Sequence, residues 1–504
     1  MAPVERFNFT RDVVDRAEGR ALVCACAGGE TRELSFAEMS ARAARWTNAL
    51  RRRGVGHGDR VLMLLGKTPE WSAAMCGCLK AGAVAIPCSE MLRAKDLDFR
   101  VRHSGARLLV AEQSAQDELE RMTAEVDVLT TDAARLEDEP DRAGAADTRA
   151  DEPALILYTS GTTKDPKGVT HTHGYTRAKR WQAESWLATR PGDLVWCTAG
   201  TGWAKSIWNV LLGPWSTGAA VALHEGGFDP NERFELIGRL AVDVLCQAPT
   251  EYRLMAKQDA IDRHDLSCVR EAVSAGEPLN PEVIKAFRDA FGLMIRDGYG
   301  QTENTLLVGN LPGTEIRIGS MGLPVPRHDV DVIDEDGSIA EVGVEGDIAL
   351  RGDPPTLFAG YWNQPDETAA VRRGEWYVSG DRATRDEDGY LWFTGRADDV
   401  ILSAAYRTGP FEVESALLEH PAVAESGVVG KPHEDRGAIV KAYVVLRSGF
   451  EASDALVGEL QEHCKRVTAP YKYPREIAFV DALPKTSSGK VRRVDLRARA
   501  QAES

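Results

Sequence analysis

No apolar stretch in these 504 residues reaches the length needed to span a bilayer. The most apolar candidate, 207–223, is interrupted by Gly213, Pro214 and Gly218 and reads as buried protein. The opening residues, MAPVERFNFTRDVVDR, lack the apolar core of a signal peptide. Positive charge is also short. Sixty-one Lys and Arg face 77 Asp and Glu, and the formal charge of −16 argues against a general nucleic-acid binder. The nine cysteines are an odd count. Their closest pairs, Cys24/Cys26 and Cys76/Cys78, are C-x-C, which suggests neither a zinc site nor a disulfide framework. Reduced thiols in a cytoplasmic protein are the expectation. The Walker sequence GxxxxGK[ST] is missing, and there is no internal repeat or low-complexity tail.

What is present is an ordinary globular composition, 43% apolar and 27% charged, long enough for two to four domains. Ser35-x-x-Glu38 is a capping box that opens a helix with Phe36, Met39, Ala43, Trp46 and Leu50 on one face. A strand from Arg60, a helix through Trp71 and Leu79 and a strand near 83–87 follow. Such alternation predicts an α/β fold of mostly parallel, helix-covered sheets. The polar stretch 134–153 reads as an exposed loop joining two subdomains. Residues 154–320 repeat the alternation. From about Val330, short strands and Gly-rich turns predict a small β-rich subdomain.

One segment carries more chemistry than any other. Residues 158–170 read YTSGTTKDPKGVT, directly after the apolar run 154–157. Thr159, Ser160, Thr162 and Thr163 surround Gly161, and Lys167 follows. Glycine and small hydroxyls let backbone N–H groups approach a polyanion, and lysine adds a point charge. This is the composition of a phosphate-gripping loop, against the blander reading of a Ser/Thr-rich turn. Further along stand Ser274-Ala-Gly-Glu-Pro-Leu279, Asp297-Gly-Tyr-Gly-Gln-Thr-Glu303, Trp376-Tyr-Val-Ser-Gly-Asp381, Gly395-Arg-Ala-Asp-Asp399 and Pro484-Lys-Thr-Ser-Ser-Gly-Lys490. Each alone would pass for a turn.

Together and in this order, from about residue 30 to 497, they resemble the adenylate-forming superfamily of acyl-CoA synthetases, adenylation domains and luciferases. Within it the chain is most similar to medium-chain and aromatic acyl-CoA ligases, through Phe7-Asn8-Phe9, Thr201-Gly202-Trp203 with Trp208, the run 357–362 and the run 409–414. The resemblance implies a large N-terminal domain, 1–397, and a small mobile α+β C-terminal domain, 398–504, in a monomer or homodimer. It implies a carboxylic acid, ATP, Mg²⁺ and coenzyme A, with no nucleic acid and no membrane span.

Residue roles follow from the same resemblance. Thr159, Ser160, Gly161, Thr162, Thr163 and Lys167 would grip the β- and γ-phosphates. Gly276, Glu277 and Pro278 would line one side of adenine, and Asp297, Gly298 and Tyr299 the other, with Tyr299 stacking on the ring. Thr302 would touch the α-phosphate and Glu303 would hold Mg²⁺, a hard cation suited to oxygen ligands. Asp381 would bind the ribose hydroxyls with Arg396 beside it, and Arg407 would meet phosphate oxygens. Lys490 would be the catalytic lysine, bridging carboxylate and α-phosphate as the two anions meet. Asp398 would be the hinge. After rotation, Ser403, Ala404 and Ala405 would line the pantetheine tunnel.

The tail is basic: 465–499 holds ten Lys or Arg against three acids. It reads either as a solvated helical face or as a dock for CoA phosphates, with Lys472 and Arg475 foremost. Trp203, Trp208, Ala248, Thr250 and Asn304, with Thr305 beyond, stand where the acyl group would lie, although tryptophans also fill cores. Two positions depart from the family pattern. Lys164 replaces a glycine in the phosphate loop. Ala404-Ala405-Tyr406-Arg407 replaces Ser-Gly-Tyr-Arg, which leaves a carrier-protein thiol open as an alternative acceptor to CoA.

Overall fold

The computed structural model describes residues 4–159, 165–396, 399, 401–403, 406–433, 437–468, 472–485 and 490–503, with backbone alone at Leu402, Tyr406 and Arg407. Ser160, Gly161, Thr162, Thr163, Lys164, Asp398, Ala404 and Ala405 lie outside the described residues, as does the side chain of Arg407.

Among the described residues the strands form four sheets. In the first, Pro153–Thr159, Val84–Cys88, Arg60–Leu64, Leu108–Ala111 and Asp127–Thr130 run parallel in that spatial order. Lys167–Thr172 closes one edge antiparallel to Pro153–Thr159. The second sheet is built on the parallel strands Ile295–Gly300, Glu271–Ala275, Val244–Gln247, Leu194–Cys197, Ala220–His224 and Arg20–Ala25. These strands are buried along nearly their whole length, as expected where helices cover both faces. The predicted capping box is present: Glu38 N donates to Ser35 Oγ at 3.2 Å, and Ser35 N to Glu38 Oε2 at 2.8 Å. It opens the helix Phe36–Arg52, whose Met39, Ala43, Trp46 and Leu50 are all buried. One apolar core joins that helix, Pro69–Ala81 and the inner faces of both sheets through Trp46, Trp71, Trp186 and Trp215.

The sequence-based partition needs two corrections. Residues 134–153 do not join two subdomains, because Pro153–Thr159 pairs with Val84–Cys88 in one sheet. The stretch is a strap laid on the surface. Asn48 and Arg51 donate to its carbonyls at Pro140, Arg142 and Gly144, and its Thr148 is buried against Phe7. The alternating blocks are also interlaced. Arg20–Ala25 belongs to the second sheet, and Pro153–Thr159 with Lys167–Thr172 to the first. Neither exchange leaves a local signature, since both rest on pairings between distant segments.

The β-rich subdomain appears where expected, as Val330–Ile333, Gly346–Arg351 and Trp376–Arg385, with Leu391–Arg396 paired to the last. The C-terminal portion is α+β. Val423–His433 and Gly437–Leu446 form its long hairpin, Glu476–Phe479 adds a parallel strand, and Pro410–Leu418, Asp454–Val467 and Arg493–Ala502 pack on it. The nine cysteines are free. Cys24, Cys26 and Glu225 place donor atoms within 4.8 Å of one another, a grouping that the C-x-C spacing did not signal. Burial and the Glu225 carboxylate raise the Cys24 thiol, which keeps it protonated against Glu225 at 3.6 Å.

Candidate active site

Most of the predicted residues converge at the carboxyl end of the second sheet, where the β-rich subdomain and the C-terminal portion meet it. Strand Ile295–Gly300 delivers Asp297, Gly298 and Tyr299, and the turn after it carries Thr302, Glu303 and Asn304. Gly300 makes that turn possible. A Cβ there would lie 2.0 Å from the carbonyl oxygen of Thr305, closer than any real contact.

Asp381, on strand Trp376–Arg385, is the centre of the polar network. Its Oδ2 accepts from the Tyr299 hydroxyl and from Gln301 Nε2, both at 2.6 Å, and Arg396 lies 3.8 Å from Oδ1. Gln301 is fixed in turn by Ser379 O and by the Tyr377 hydroxyl, which donates to its Oε1 at 2.8 Å. Burial raises the Asp381 carboxyl above its ordinary range, against the pull of Arg396 and these donors. Asp297 is pushed up to about 7, chiefly by burial, with the Gly298 N–H acting in the opposite direction. These acids are costly to keep charged without a ligand, which suits a site completed by hydroxyls or cations.

Thr159 and Lys167 are register partners at the mouth of the hairpin that holds the phosphate-loop sequence. Lys167 pairs with Glu367 and lies 4.6 Å over the ring of Tyr361. The Tyr361 hydroxyl donates to Glu303 Oε1 at 2.8 Å. The loop mouth is thereby tied to the carboxylate that the sequence offered as metal ligand. Burial raises Glu303 as well, and its one hydrogen bond from a side chain among the described residues engages a single oxygen. A hard divalent cation fits such a donor.

On the opposite side, Glu277 Oε2 accepts from Thr250 Oγ1 at 2.8 Å and pairs with Arg253 at 3.2 Å. Thr250, offered as an acyl-pocket residue, is thus committed to Glu277. Gly276 and Pro278 flank Glu277 in the turn after Glu271–Ala275. Trp203 sits in the turn leading to Ala204–Ser206, and Ala248 caps Pro249–Ala256. Trp208 and Asn304 are buried together near Tyr175, whose ring shares the Lys179 ammonium with Trp208 and whose hydroxyl donates to Asn304 O at 2.9 Å.

The C-terminal portion docks over this cleft. Asn280 Nδ2 donates to Ser415 Oγ at 3.1 Å, Lys257 to the carbonyl of Ala424, and Phe393 meets Phe411 edge-on at 6.2 Å. Gly409 lies against strand Leu391–Arg396 so closely that a Cβ would fall 1.8 Å from Thr394 O. Lys490 is exposed as a whole residue, yet its ammonium is desolvated and feels Glu277, Lys205, Asp381 and Arg396. Desolvation lowers its pKa, and Glu277 and Asp381 oppose the shift.

Not every predicted group joins the cleft. Ser403 is buried in its strand. Lys472 pairs with Glu412, and Arg475 donates to the Tyr473 hydroxyl at 2.9 Å. Of the ten basic residues in the tail, Lys465, Lys472, Lys485, Arg492, Arg493, Arg497 and Arg499 have carboxylate partners, which favours the solvated-face reading for most of them. Sequence reasoning missed Lys205, whose Nζ donates to Gln247 O at 2.6 Å and Ala275 O at 3.0 Å, and also Gln301, Tyr361 and Tyr377. It missed Lys179 too. The available signal was its place on the buried stripe 175, 176, 179 and 182 of helix His173–Gln182.

Acids and lysines from the second sheet, the β-rich subdomain and the C-terminal portion thus converge at one end of the sheet. The AMP-binding enzyme model matches residues 9–362, and the AMP-binding enzyme C-terminal domain matches 412–490. The chain belongs to the AMP-binding enzyme family. It is 44% identical to the uncharacterized acyl-CoA ligase YtcI of Bacillus subtilis, over 99% of this chain and 97% of that one. It is 39% identical to the mouse mitochondrial acyl-coenzyme A synthetase ACSM3, over 98% and 90%. Among solved structures, the anthranilate CoA ligase AuaEII in complex with anthranoyl-AMP superposes with a TM-score of 0.92 at 31% identity, covering 99% and 98%. A benzoate CoA ligase from Burkholderia xenovorans gives 0.87 at 30%, covering 97% and 100%. No helix among the described residues is long and apolar enough to cross a membrane.

Proposed function

We propose that this chain is an ATP-dependent, AMP-forming acyl-CoA ligase acting on a medium-chain or aromatic carboxylic acid. A carboxylate oxygen attacks the α-phosphorus of ATP, and pyrophosphate leaves with the bonding pair. The CoA thiol then gives up its proton as its sulfur attacks the acyl carbonyl, and AMP leaves with the bonding pair. The observation that carries the reading is Lys490, which reaches from the C-terminal portion into the electrostatic range of Glu277 and Asp381.

In this reading Asp381 accepts the ribose hydroxyls in place of Tyr299 and Gln301, with Arg396 beside it. Adenine lies between 276–278 and 297–299. The loop from Thr159 to Lys167 holds the departing phosphates. Glu303 holds Mg²⁺, which neutralises phosphate charge when bound. Thr302 and Arg407 face phosphate oxygens, and Lys490 bridges the attacking carboxylate and the α-phosphate. The first step needs no general base, because the carboxylate is already ionised. Positioning and electrostatics supply the rate. Division of the chain into 1–397 and 398–504, with a hinge at Asp398, lets Lys490 withdraw while 403–405 face the thiol. A cytoplasmic location goes with this reading.

The test separates the half-reactions. Lys490→Ala should abolish acid-dependent pyrophosphate release yet still convert supplied acyl-adenylate and CoA to thioester. Unchanged pyrophosphate release would refute the role of Lys490. Thioester formed on a holo carrier protein but never on CoA would refute the acceptor.

A further inference from the structure

The cluster beneath the 302–305 turn has no part in the chemistry above. Lys179 is 1% exposed on helix His173–Gln182. Its Nζ lies 3.9 Å from the centroid of the Tyr175 ring and 4.4 Å from that of Trp208. It has no hydrogen-bond acceptor among the described residues. Nor does any carboxylate among them counter its charge: burial alone drives its titration far below the ordinary lysine range. The neighbouring titratable groups are His171 and His328, both held neutral chiefly by burial.

One more donor in the same cluster lacks an acceptor, Asn304 Nδ2, while the Trp208 indole faces the Tyr175 hydroxyl. Asn304 is completely buried. The Tyr175 hydroxyl ties the cluster to the Asn304 carbonyl, one residue from Glu303. Buried polar groups are normally paired, so one orphan donor needs a reason and two beside one ring point to a missing acceptor. Aromatic faces compensate an ammonium in part. They offer nothing to an amide N–H.

We propose that Lys179 and Asn304 read an oxygen on the tail of the acid. The preferred substrate is then a carboxylic acid bearing a second acceptor group, not a plain hydrocarbon acid. This rests on the acyl-ligase reading and narrows it. A carboxylate beside Nζ would restore the ammonium that burial disfavours, which favours a second carboxylate over a neutral carbonyl or hydroxyl.

The experiment compares kcat/KM for pyrophosphate release with matched plain, oxo and dicarboxylic acids of increasing length, and with benzoate against hydroxybenzoates. In the wild type, an oxygen-bearing acid should exceed its plain match by at least about tenfold, the least that a charge-assisted bond contributes. Lys179→Met keeps the length and removes the ammonium, and it should invert that preference. A dicarboxylate leading its oxo match identifies the second carboxylate, and the reverse order identifies a neutral oxygen. Plain acids leading at every length in the wild type would overturn the proposal, as would equal changes for both members of a pair in the variant. Pyrophosphate release with no acid at all in the set would instead sink the ligase reading itself. Should the variant fail to fold, thermal shifts of the wild type decide. The oxygen-bearing acid must stabilise more than its plain match, and an equal or smaller shift overturns the inference.

Discussion

Removing the carboxylate of Glu414 should slow the first half-reaction and spare the second. Arg493 Nη2 donates to both Glu414 oxygens, at 2.8 and 2.7 Å, and Val428 N donates to Oε1 at 2.8 Å. Arg493 also faces Asp399 at 3.7 Å, and Arg497 pairs with the same Asp399. This knot joins helix Pro410–Leu418, the long hairpin and the first turn of Arg493–Ala502, which begins three residues after Lys490. Breaking a fully buried pair costs about 3–5 kcal/mol, and an exposed one at most about 1. The Glu414 side chain is 10% exposed and that of Arg493 25%, so Glu414→Gln falls between, at about 2 kcal/mol. If the placement of Lys490 depends on the knot, pyrophosphate release should fall up to about thirtyfold. Thioester formation from supplied acyl-adenylate and CoA should stay close to wild type. Equal loss of both half-reactions, or an unchanged first half-reaction despite a lowered Tm, would refute the argument.

Two other outcomes follow from the same geometry. Gly300→Ala drives a methyl into the Thr305 carbonyl, and the turn bearing Glu303 must shift; kcat/KM for pyrophosphate release should drop at least about a hundredfold, since misplacement of about 1 Å costs that much. The Asp297 carboxyl titrates near 7 in the fold and near 3.8 when unfolded, so the folded state holds the extra proton between those values and stability falls as pH rises through that window. Asp297→Asn should flatten that decline in Tm, and an unchanged slope would rule Asp297 out as its source.

What the sequence made legible was local. Asp381, Glu303 and Lys490 stood out because each sits in a short motif of glycines, hydroxyls and charges. The helix from Ser35 was legible because a cap and an apolar stripe are both short-range signals. The membership of Arg20–Ala25 in the second sheet was not, since its partner strand lies some two hundred residues away. Lys205 and Lys179 escaped notice for a related reason. Their meaning comes from carbonyls and rings contributed by other segments, and a lone lysine on a helix ordinarily faces water. For the basic tail, charge counts do not reveal which cations already have carboxylate partners.

The pairing of Leu22 with Val221, reinforced by the Trp215 indole donating to the Ala21 carbonyl, sets a schedule for biosynthesis. At ribosomal rates of about 5–20 residues per second, the opening hairpin waits roughly 10–40 s for its neighbour to be made. During that interval a strand reading ALVCA, buried in the finished protein, has only its hairpin partner Thr31–Ser35 to pair with. Folding of the large domain is therefore a late and strongly non-local event, and nascent chains truncated before residue 220 should be the forms most dependent on chaperones.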